Sequence, residues 1–71
     1  NLNMTLEELK IKSGLSHISI KLYEKEGLIS SCKKNGATYY DENTLASLKK
    51  IKILRDLNLS LDIIKKILES M

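Results

Sequence analysis

The sequence predicts a small, mainly α-helical domain: four helices with one β-hairpin set between the second and the third. Three observations carry that expectation. A capping residue (Thr5, Ser16, Asp41 or Ser60) opens each of four helix-like stretches. A single Asn35-Gly36 pair marks the one segment that does not read as helix. Seventy-one residues leave room for one domain only.

The first helix is expected over Thr5 to Lys12. Thr5 followed three residues later by Glu8 has the spacing of a capping box, and Leu6 and Leu9 share one face. Ser13-Gly14-Leu15 reads as a tight turn in which Gly14 can take a positive φ. Ser16 then caps a second helix that runs to Glu26 and stops at Gly27. Two short helices joined by a short glycine-containing turn match the helix-turn-helix pattern. After Leu28-Ile29 the chain reads as a hairpin, because Asn35-Gly36 suits the two left-handed positions of a two-residue turn. Lys33 and Lys34 lie near its tip, and Tyr40 is a packing residue at its base.

Asp41 caps the third helix, with Glu42 favourably placed at its positive end. Its apolar residues Leu45, Leu48, Ile51, Leu54 and Leu57 recur in steps of three, which drift by about 60° each on a helix of 3.6 residues per turn. The stripe therefore winds, and its ends should meet different neighbours. Asn58 closes this helix in the left-handed conformation, and Ser60 opens the fourth. Ile63, Ile64, Ile67, Leu68 and Met71 form a wide apolar stripe there.

Composition excludes several classes. Hydrophobic residues make up 42% and charged residues 30%, too apolar for a disordered chain. The formal charge of +3 is compatible with a polyanionic partner without demanding one. No apolar run approaches the roughly 18 residues of a membrane helix, and no signal peptide is visible, which points to the cytoplasm. A lone Cys32 excludes an internal disulfide, and Cys32 with His17 falls short of a four-ligand zinc site. No metal or cofactor is expected. An enzyme would need a nucleophile and base such as Cys32 and His17 with a third orienting group and a closed pocket, and nothing supplies them.

Helix-turn-helix, hairpin, then two more helices is the order of a winged helix-turn-helix DNA-binding domain. From Met4 to Leu68 the chain resembles the MerR family of bacterial transcription regulators. The resemblance rests on Thr5-Leu6-Glu7-Glu8-Leu9, Ser13-Gly14-Leu15-Ser16, Leu22-Tyr23-Glu24-Lys25-Glu26-Gly27-Leu28-Ile29, Asn35-Gly36, Tyr40-Asp41-Glu42 and Leu59-Ser60-Leu61. It implies one domain over residues 1–71, with the helix-turn-helix at about 5–26, the wing at about 28–40 and further helices at about 41–57 and 60–71.

The resemblance also implies a mechanism. Such proteins bind palindromic promoter sites in double-stranded DNA as homodimers, and they act on RNA polymerase indirectly by bending and twisting the promoter. The recognition helix enters the major groove, and the wing touches the flanking backbone or minor groove. Carried onto this chain, the recognition helix offers Ser16 as an N-cap close to phosphate, His17, Ser19 and Lys21 as donors, and Tyr23 as a packable ring with a hydroxyl. Ile20 is its core anchor. Lys33, Lys34, Thr38 and Tyr39 are the wing contacts, while Lys49, Lys50, Lys52 and Arg55 spread around their helix as a solvated surface.

The chain departs from the family where contacts are made. Ile18 and Leu22 stand where a basic and an aromatic residue are usual; they either meet thymine methyls or pack against protein. Gly36-Ala37-Thr38 replaces the usual Gly-Tyr-Arg of the wing, and Lys10-Ile11 inverts the usual small-then-basic order. Ile63 stands where an acidic residue is usual, so part of the last stripe should face a dimerisation helix beyond Met71, with this chain alone monomeric or weakly associated. Two other readings stay open: an excisionase-like or DNA-bending architectural factor without an effector domain, and a protein-interaction module that kept the fold and lost DNA.

Overall fold

The computed structural model describes residues 3–70. The elements follow in the order α1 (Leu6–Ser13), α2 (His17–Lys25), β1 (Cys32–Lys34), β2 (Ala37–Tyr39), α3 (Glu42–Asp56) and α4 (Leu61–Glu69). This is the helix-turn-helix, hairpin and helix pair expected, with α3 and α4 somewhat shorter than the sequence suggested. Met71, counted in the last apolar stripe, lies outside the described residues.

Local chemistry sets the boundaries. Thr5 and Glu8 form the full capping box of α1, each side chain accepting the other's backbone N–H at 3.2 Å. Ser16, Asp41 and Ser60 cap α2, α3 and α4 by accepting the N–H groups of Ser19, Thr44 and Ile63. Those bonds satisfy donors that a helix start otherwise leaves unpaired. Gly14 ends α1 at φ 73° and Asn58 follows α3 at φ 63°. Asn35 and Gly36, at φ 51° and 80°, make the hairpin turn with both central residues left-handed.

The strands pair antiparallel in the register Cys32 with Tyr39, Lys33 with Thr38 and Lys34 with Ala37. Just past β2, Tyr40 bridges back to Met4: the Met4 N–H donates to the Tyr40 carbonyl at 2.6 Å, and the Tyr40 N–H to the Met4 carbonyl at 2.8 Å. The chain before α1 thus prolongs the wing at its base.

Packing joins α1 to both α2 and α3, and α3 to α4. Leu9 of α1, Ile20 of α2, Leu48 and Ile51 of α3 and Ile64 of α4 are fully buried, with Met4 and Tyr40 closing the core beneath the hairpin. The α3 stripe behaves as its drift requires. Leu45, Leu48 and Ile51 are buried and Leu54 is half-buried, but Leu57 has walked out into solvent.

Candidate nucleic-acid interface

Orientation of α2 follows from its sequence. Ile20 and Tyr23, three apart, turn inward and anchor the helix. The opposite face then carries Ile18, Lys21, Leu22 and Lys25, at the spacing i, i+3, i+4 and i+7, and all four are exposed. Ile18 is 81% exposed and Leu22 42%. No carboxylate interrupts this face: Glu24 lies to its side and Glu26 caps the helix end.

The other expected contact residues occupy different settings. Ser16 is exposed, but its hydroxyl is engaged twice, accepting the Ser19 N–H at 3.2 Å and donating to the Ser19 hydroxyl at 3.1 Å. His17 is exposed in the first turn of α2, and Ser19 is half-buried. Tyr23, expected to combine a packed ring with an available hydroxyl, is buried in the core. The i+3 step from Ile20 turns its ring inward.

Lys21 is exposed and has two polar neighbours. Its ammonium lies 3.7 Å from the Glu24 carboxylate and 3.5 Å from the Tyr40 hydroxyl oxygen. The bond to Tyr40, with the nearby Glu24 charge, raises its pKa.

Glu24 organises the wing. The hydroxyls of Tyr40 and Ser31 each donate to its carboxylate at 3.0 Å, one to each oxygen. Ser31 precedes β1 and Tyr40 follows β2, so one carboxylate on α2 holds both ends of the hairpin. Partial burial alone would raise the pKa of Glu24, but the two hydroxyls and the Lys21 charge outweigh it and hold the carboxyl below its ordinary value. Burial and the bond to Glu24 push the Tyr40 phenol the other way, upward. Asp41 lies just beyond and caps α3 through the Thr44 N–H at 2.9 Å, while the Thr44 hydroxyl donates to the Ser30 carbonyl at 3.1 Å.

The hairpin separates residues that the sequence alone groups together. Strand alternation puts Lys33 and Thr38 on one face and Lys34 with Ala37 on the other, alongside Cys32 and Tyr39. Lys33, Lys34 and Cys32 are exposed, whereas Thr38 and Tyr39 are half-buried. Among the described residues, no group of three or more His, Cys, Asp or Glu comes together to hold a metal, and no helix is long and apolar enough to cross a membrane.

Sequence reasoning missed Glu24, Ser31 and Lys25 as parts of this region. Lys25 had a local signal in its seven-residue spacing from Ile18, and Glu24 in its three-residue spacing from Lys21.

Residues 4–71 match the family model described as MerR HTH family regulatory protein. The chain belongs to the MerR family. It is similar to the HTH-type transcriptional regulator HmrR of Sinorhizobium medicae (strain WSM419), with 36% identity over 67 residues. That match covers 92% of this chain and 46% of the relative, so the chain spans about half the length of the MerR-family regulator it resembles. No solved structure gives a significant match.

Proposed function

We propose that this MerR-family domain binds double-stranded DNA sequence-specifically as the DNA-reading part of a cytoplasmic transcription regulator. In this reading α2 enters the major groove and the hairpin lies against the flanking backbone. The observation that carries it is the outward face of α2: it bears Lys25 and Lys21, the latter paired with Glu24 at the edge of the face, and stands beside a hairpin that adds Lys33 and Lys34. The name of the relative, a transcriptional regulator, favours regulation over a purely architectural role.

The intact protein would act as a homodimer on a palindromic promoter site and reach RNA polymerase only through the shape of that promoter. Exposed Ile53, Leu57 and Ile63 on the α3–α4 side support an apolar contact outside this domain. Two tethered domains would raise each other's effective concentration on the two half-sites. A mobility-shift titration against the promoter region of its own gene tests the proposal. A retarded complex that competitor duplex of unrelated sequence fails to displace is the expected result. Equal displacement by any duplex would leave only non-specific binding.

A further inference from the structure

The outward face of α2 combines features that few ligands satisfy together. Ile18 and Leu22 stand one turn apart and remain in solvent, flanked by Lys21 and Lys25. Of the side chains that read purine edges with paired hydrogen bonds, α2 carries no Arg, Asn or Gln, and of its two lysines Lys21 is already engaged by Glu24 and Tyr40. A second copy of this chain is a poor occupant, because a two-fold contact through this face would set the same lysines against each other. A major groove suits it. Phosphates line its rims, and thymine alone presents an apolar group, the C5-methyl, on its floor.

We propose that Ile18 and Leu22 read thymine C5-methyl groups, so that thymine content in the half-site is selected by apolar contact rather than by hydrogen bonding from α2. The inference rests on the DNA-binding reading above. Four residues advance about 6 Å along a helix, and successive bases lie about 3.4 Å apart. The two side chains therefore address thymines within one or two base steps of each other. Lys21 and Lys25 would serve the phosphates at the rims.

The test isolates the methyl group. Duplexes that bind the protein are selected from a random-sequence library, and each thymine of the selected duplex is then replaced singly by deoxyuridine, which lacks only that methyl. At one or two positions per half-site, binding should weaken about three- to fivefold, the worth of one buried methyl. Ile18→Ser changes an exposed residue and should leave the fold intact, yet it should abolish the thymine preference at one of those positions. Uniform tolerance of deoxyuridine, with duplex binding retained, would overturn the methyl readout and leave DNA binding standing. Binding of no duplex at all would overturn both. Self-association in sedimentation that Ile18→Ser abolishes would hand the face to a second copy and also overturn the proposal.

Discussion

Replacing Tyr40 by phenylalanine removes one oxygen from the junction between α2 and the wing and leaves the buried ring in place. That oxygen donates to Glu24 at 3.0 Å and accepts from Lys21 at 3.5 Å. A hydrogen bond to a charged acceptor contributes about 1.5–3 kcal/mol. The Glu24 side chain is 28% exposed, so water can replace part of the lost donor. The expected loss is therefore at the low end, roughly 1–2 kcal/mol, or about 5–15 °C in Tm for a domain of this size. Thermal unfolding followed by circular dichroism reads it directly, and a double-mutant cycle with Glu24→Ala assigns it. The two variants should couple by about 1 kcal/mol, whereas losses that add to within about 0.5 kcal/mol would refute a Glu24–Tyr40 bond of any consequence. The pH dependence carries a sign as well. Glu24 is held below its ordinary value of 4.5, so its contribution is fully present above that value and is lost as pH falls through the folded-state pKa. The gap between wild type and Tyr40→Phe should accordingly narrow on acidification.

Ile20→Ala should cost roughly 2–5 kcal/mol, because the side chain is fully buried, and the melting curve checks it. Lys21→Ala should shift Tm by no more than a few degrees, since an ion pair this exposed contributes under about 1 kcal/mol, while duplex binding measured by fluorescence anisotropy weakens. Stability lost at Lys21 rather than at Ile20 would reverse the orientation assigned to α2. Duplex affinity should fall steeply with salt as lysines displace counterions from phosphate; a flat salt titration would argue against phosphate contact. Thr38→Arg, on the same hairpin face as Lys33, should tighten binding, and unchanged affinity would mean that this face points away from DNA.

Much of the architecture is written in short-range chemistry. Thr5, Ser16, Asp41 and Ser60 cap helices, and Gly14, Asn35, Gly36 and Asn58 take left-handed angles, because each acts on backbone within a few residues of itself. The winding of the α3 stripe is likewise a matter of helical arithmetic, down to the exposure of Leu57. What the sequence does not disclose lies across longer separations. Glu24 meets Tyr40 sixteen residues away, and nothing in the spacing of either residue announces the other. Tyr23 and Tyr40 are alike as letters, yet Tyr23 turns into the core while the Tyr40 hydroxyl finds a carboxylate. The candidate interface divides in the same way. The face shared by Ile18, Lys21, Leu22 and Lys25, and the Lys21–Glu24 pair beside it, are readable once α2 is drawn, but the bond from Lys21 to Tyr40 needs the folded wing.

The bridge between Met4 and Tyr40 has a consequence for how the chain opens and closes. It joins residues thirty-six positions apart, and the enclosed loop contains α1, α2 and the whole hairpin. Closing so long a loop carries an entropic cost that a single pair of backbone bonds cannot offset, so the bridge should form only with the core already assembled. In native-state hydrogen exchange the N–H groups of Met4 and Tyr40 should therefore be better protected than those at the hairpin tip, although both lie at the margin of a tiny sheet. The exposed pairs nearer the tip, Lys34 with Ala37 above all, exchange by local fraying. A two-stranded wing of three residues per strand is too small to hold itself together, and its permanence is borrowed from Met4 before α1 and from Glu24 on α2.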